Sequence, residues 1–142
     1  MNGNAELLNF IYQNSQMGVE TIDKLLELCD QSEFKRLMQS QHDEYQTINR
    51  EAKLLLAENG YDEKGISAFE KMKTYIMINM QTLTDKSTSH IAEMMMVGST
   101  MGVIQALRNL RKYKDADSHI QGLMDRILKF EENNISQLKK FV

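Results

Sequence analysis

Apolar residues recur at three- and four-residue steps along almost the whole chain, the spacing of one face of an α-helix. The first such row is Leu8, Ile11, Ser15, Gly18, Ile22, Leu25 and Cys29, and it predicts a helix over about 4–28. A second row, Phe34, Leu37/Met38, Gln41, Tyr45, Ile48, Ala52 and Leu55, predicts a helix over about 31–59. Asp30-Gln31-Ser32-Glu33 before it has the spacing of a capping box. Asn59-Gly60 after it is a stop signal, since both residues tolerate a left-handed backbone. A third stripe, Phe69, Met72, Ile76, Met80 and Leu83, follows the box-like Ser67-Ala68-Phe69-Glu70 and predicts a helix over about 67–83. The last row, Ile120, Met124, Ile127, Glu131, Asn134/Ile135 and Leu138, predicts a helix over about 118–141, opened by Ser118-His119-Ile120-Gln121.

Between the third and last rows lies His90 to Lys112, apolar and methionine-rich, predicted as a helix over about 87–113. The apolar period carries through 84–89 without a slip, so the break there rests on length. An unbroken helix from Ser67 to Tyr113 would run about 70 Å, against about 40 Å for each of the first two helices. Asp85 or Ser87 is the expected cap of the new helix. Arg108, Arg111, Lys112 and Lys114 near its end suit the partial negative charge of a helix C-terminus, which is a better explanation of them than a phosphate site.

The interruptions of these rows are as informative as the rows. Gly98 and Gly102 stand one turn apart, and each glycine costs about 1 kcal/mol against alanine in a helix interior. Close approach of another helix would justify both, with Ser15 and Gly18 as the facing small residues. Two short-turned hairpins, near residue 30 and near residue 115, place Ser15 beside Tyr45, Gly18 beside His42, Glu131 beside Thr100 and Glu93 beside Leu138. Ser15, Gln41, Tyr45, Glu131 and Asn134 then form a buried polar layer at mid-height. Glu131 must find a partner there, in Gln41, Tyr45 or Ser15, because a buried carboxylate without one is costly or protonates.

Composition narrows the classes. The 142 residues include no proline, and Leu, Met, Glu, Lys and Gln abound, which favours helix nearly everywhere in a single domain. A net charge of −3 argues against a broad nucleic-acid surface. Cys29 is the one cysteine, so no internal disulfide can form, which fits a reducing compartment, most simply the cytoplasm. The first residues lack a basic lead and an apolar run, and no stretch is long and apolar enough to span a membrane.

Four long helices with a long, partly helical link between the second and third make an all-α, antiparallel four-helix plan. In helix count and link length it resembles the ferritin-like superfamily. The stretches Gln13-Asn14-Ser15-Gln16-Met17-Gly18 and His90-Ile91-Ala92-Glu93-Met94-Met95 are most similar in look to bacterial spore-coat-type and related uncharacterised bundles. The resemblance implies a di-metal centre of iron or manganese built from glutamates and Glu-x-x-His pairs. This chain has no Glu-x-x-His, and its only His-x-x-Glu, His90 and Glu93, falls near one end. Gln41-x-x-Glu44 and Glu131-x-x-Asn134 keep the spacing without histidine. The candidate ligands are therefore Gln41, His42, Glu44, Glu131 and Asn134, a poor cage for iron.

The expectation is a non-catalytic bundle without cofactor, acting by self-association or by binding another protein, with Phe69, Met72, Ile76, Met80 and Leu83 as the interface. The alternatives are a di-metal protein or oxidase, and a carrier of a small ligand at the glycine waist. The many methionines fit core filling better than copper binding, because three in a row at Met94–Met96 face three directions.

Overall fold

The computed structural model describes residues 2–64, 70–81 and 83–142, with residues 70–72 described by their backbone alone. The described chain forms five α-helices: α1 (Gly3–Leu26), α2 (Ser32–Glu58), α3 (Glu70–Gln81), α4 (Thr88–Lys112) and α5 (Ser118–Leu138), followed by one turn of 3₁₀ helix at Lys139–Phe141. There is no strand among the described residues.

Local chemistry sets the boundaries. The side chain of Asn2 accepts from the amides of Asn4 and Ala5, capping α1. Gln31, the second residue of the expected box, caps α2 by accepting from the Phe34 amide. At the far end of α2, Gly60 takes φ +68°, the Tyr61 amide donates to Leu56 and the Gly60 amide to Ala57. This is the paired closure that a left-handed glycine permits. The break after α3 falls where expected, and Ser87 caps α4 by accepting from the His90 amide at 3.2 Å. Ser118 does not cap α5. Asp117 is the capping residue, without a side-chain bond of its own, and Gln121 instead reaches back to the carbonyls of Lys114 and Ala116, both at 2.7 Å. Of the expected box at Ser67 to Glu70, the first three residues and the Glu70 side chain lie outside the described residues.

α1 pairs along its length with α2, and α4 with α5; the two pairs meet chiefly where α1 touches α5 and α4. α1 is buried on more than a stripe, with Leu7, Leu8, Asn9, Phe10 and Ile11 all covered. Its polar residues fasten the turns around it. Asn9 donates to the carbonyls of Ala5 and Asp62 and accepts from the Lys64 amide at 2.8 Å, while Gln13 donates to the Lys64 carbonyl, so residues 61–64 are tied down on α1. Asn4 accepts from the Asp117 amide at 2.8 Å and holds the α4–α5 turn.

The apolar core comes in two parts. One gathers Leu7, Phe10, Ile11, Leu56, Ile120 and Met124, and the other Leu25, Phe34, Met38, Ile91, Met94 and Leu138. Polar side chains separate them at mid-height. α3 lies against α4 over this level, with Ile76 buried and Met80 and Leu83 packed on the core. The part of the expected interface stripe that is described, Ile76, Met80 and Leu83, is thus turned inward. Phe69 and the Met72 side chain lie outside the description. Among the described side chains of α3, the exposed large apolar ones are Met77 and Ile78.

Candidate functional site

Each long helix sends polar side chains into the gap between the two cores: Asn14 from α1, Ser99 from α4, and two residues one helical turn apart from each of the others, Gln41 and Tyr45 from α2 and Glu131 and Asn134 from α5. Glu131 is the hub, only 3% exposed. The Tyr45 hydroxyl donates to its Oε1, and Asn134 Nδ2 donates to the same oxygen at 3.0 Å. Asn14 Nδ2 donates to Oε2 at 3.5 Å. Burial pushes the carboxyl up to about 7, against the opposing pull of hydrogen bonds from Tyr45, Asn134, Asn14 and Ser99. Burial, and then the charge of Glu131, push the Tyr45 phenol well above its usual value, so it stays a donor. Every donor to Glu131 is neutral, and no ion pair reaches it among the described residues.

The glycines serve this cluster rather than a helix-to-helix contact. A Cβ at Gly102 would lie 2.7 Å from Glu131 Oε2 and 2.9 Å from Asn14 Oδ1. A Cβ at Gly18 would lie 2.6 Å from two atoms of the Tyr45 ring. So Gly102 seats the carboxyl and Gly18 seats the ring. Gly98 differs: among the described residues, the nearest atom to its missing Cβ is Ile76 Cδ1 at 4.0 Å, on α3. The expected facing of Gly98 and Gly102 by Ser15 and Gly18 is corrected accordingly. So is the register of the first hairpin, in which Gly18 stands at Tyr45 rather than His42.

Beside the carboxyl is a cavity of about 40 Å³. Its lining includes the polar side chains of Gln41, Ser99, Asn14 and Glu131 and the apolar ones of Met17, Ile22, Met94 and Met95, with Gly98 and Ile76. Glu131 and Gln41 flank this space without bonding to each other. Gln41 is 3% exposed, and its Nε2 has no hydrogen-bond partner among the described residues. Buried amides are nearly always paired, so one left open beside a cavity needs a reason.

The remaining expected site residues go elsewhere. Ser15 donates to the Ile11 carbonyl at 2.7 Å and accepts from Asn49, so it is buried but does not serve Glu131. His42 Nε2 is 2.8 Å from Asp23. Glu44 pairs with Arg126, which also holds Glu51, on the outside of the α2–α5 seam. His90 and Glu93 approach to 3.8 Å in the first turns of α4. Gln41, Glu131 and Asn134 therefore share a site, whereas His42 and Glu44 do not join it. One carboxylate among amides and hydroxyls does not fit a di-iron or di-manganese centre, which needs several carboxylates and usually imidazole. No group of three or more His, Cys, Asp or Glu side chains with metal-holding geometry occurs among the described residues.

Asn14 and Ser99 were not singled out from the sequence. A signal existed: Asn14 is one turn from Gly18, and Ser99 one turn from Gly102, on the faces those glycines mark. No helix among the described residues is long and apolar enough to cross a membrane. No family model, no curated protein and no solved structure matches this chain.

Proposed function

We propose that the protein is a non-catalytic helical binding protein that carries a small molecule in the cavity beside Glu131. The two hairpins are read as a four-helix bundle of ferritin-like plan, with α3 laid over the cavity, working in a reducing compartment where Cys29 stays a thiol. One observation carries the reading: Gln41 and Glu131 line the same cavity without a hydrogen bond between them, and the Gln41 amide is buried with no partner for Nε2 among the described residues. A purely structural polar layer would close those groups on each other, since an unmade buried hydrogen bond costs about 1–3 kcal/mol. A thermal-shift screen of polar compounds of only a few non-hydrogen atoms, each at tens of millimolar, tests it. A saturable rise in Tm that is lost when the cavity is filled by Ser99→Leu is expected. A screen without any such rise would remove the carrier reading.

A second reading, self-association, is favoured by Met77 and Ile78 on α3 and Ile104 and Leu107 on α4, all at least 43% exposed on adjoining helices. Light scattering at tens of micromolar separates dimers or larger assemblies from a monomer. A monomer at that concentration would set this reading aside.

A further inference from the structure

We propose that the cavity selects a short primary ammonium compound bearing a hydrogen-bond acceptor, the ammonium held by Glu131 and the acceptor by Gln41 Nε2. The proposal rests on the carrier reading above and specifies its ligand. Three features of the site lead to it.

The first is charge. Glu131 is a buried carboxylate whose partners, Tyr45, Asn134, Asn14 and Ser99, are all neutral. A buried carboxylate is best served by a positive partner, and a charge-assisted bond from N–H⁺ is roughly twice as strong as a neutral one. The second is the open donor of Gln41, a residue that lines the same cavity and can offer its amide to an oxygen acceptor there. The third is size and lining. At about 10–15 Å³ per water, 40 Å³ admits about three waters, or a ligand of three to four non-hydrogen atoms. The apolar lining includes Met17, Ile22, Met94 and Met95, which suits a short carbon spacer and can mould to it through flexible thioethers. A hard divalent cation is held chiefly by carboxylates, and Glu131 is the one carboxylate in this lining among the described residues.

The test uses the full chain labelled at the methionine methyls, with Met17, Met94 and Met95 as reporters inside the cavity. The probes are 2-aminoethanol (ammonium plus acceptor), ethylammonium (ammonium alone) and 1,2-ethanediol (the neutral isostere). Saturable shifts of the three methyls with 2-aminoethanol are expected, weaker ones with ethylammonium and none with 1,2-ethanediol. Glu131→Gln, which keeps the shape, should weaken 2-aminoethanol by roughly tenfold or more, the size of a lost charge-assisted bond. Gln41→Leu should weaken 2-aminoethanol while leaving ethylammonium unchanged. If 1,2-ethanediol binds as well as 2-aminoethanol, the ammonium class is wrong and the carrier reading stands. If no probe moves the methyls while the thermal-shift screen yields a ligand, the class is again wrong. If both fail, the cavity holds only water and both proposals fall. The wild-type comparison of the three probes decides the class even if a variant does not fold.

Discussion

Three glycines in the helices around Glu131 should respond to alanine with different signs. In an open helix interior, Gly→Ala gains up to about 1 kcal/mol. At Gly98 the new methyl meets nothing nearer among the described residues than Ile76 Cδ1 at 4.0 Å, an ordinary contact. Gly98→Ala should therefore stabilise by about 0.5–1 kcal/mol, or roughly 2–4 °C in Tm. At Gly102 the methyl would stand 2.7 Å from Glu131 Oε2 and 2.9 Å from Asn14 Oδ1. Both groups must move, and Glu131 is bonded to Tyr45 and Asn134 on its other oxygen. Disturbing buried bonds to a carboxyl costs about 1–3 kcal/mol each, which outweighs the helix gain and leaves a net loss of about 1–3 kcal/mol. Gly18→Ala drives a methyl into the Tyr45 ring, whose hydroxyl is tied to Glu131, and should lose a similar amount by overpacking. Urea denaturation of the three variants at neutral pH measures all three against the parent. If Gly102→Ala proved as stable as Gly98→Ala, the carboxyl would not be seated on Gly102, and the geometry of the site would be wrong.

Other expectations follow from the same contacts. Because the folded-state value for Glu131 is raised from 4.5 to about 7, the folded chain holds a proton that the unfolded chain releases. Its contribution to stability is full below about 4.5 and declines as pH rises to about 7, by on the order of 3 kcal/mol; denaturation across that window should show the decline, and Glu131→Gln should flatten it. Asn9→Ala strips partners from the Asp62 carbonyl and the Lys64 amide, so a loss of about 1–3 kcal/mol and faster hydrogen exchange at Lys64 are expected. Arg126→Ala removes two partly exposed ion pairs and should cost less than about 1 kcal/mol by denaturation, with the difference shrinking in high salt.

Much of this molecule could be read from periodicity. The row expected for α5 is the buried row, Ile120, Met124, Ile127, Glu131, Asn134 and Leu138, and the stop at Gly60 and the cap at Ser87 stand where the residues placed them. Periodicity assigns faces, but it does not set how far one helix slides along another. That offset depends on the turn at residues 27–31, where the amides of Leu28 and Cys29 close back on Leu25 and Leu26. The slide moved Tyr45 onto Gly18 and left Ser15 with Asn49. Nor does a single-face reading suit α1, which is covered over a wide arc and so turns both Asn14 and Ser15 inward. Glu131 stood out as the one acid in an apolar row, whereas Asn14 and Ser99 looked like ordinary polar residues of a helix surface.

Glu131 is a buried carboxyl held, among the described residues, by neutral donors alone and open to a cationic partner. The ¹³C resonance of its carboxyl, followed by NMR through a pH titration with and without saturating 2-aminoethanol, tests this most directly. A midpoint near 7 that falls when the ammonium binds is the expected result. A midpoint at the ordinary glutamate value, or one unmoved by the ammonium, would contradict it.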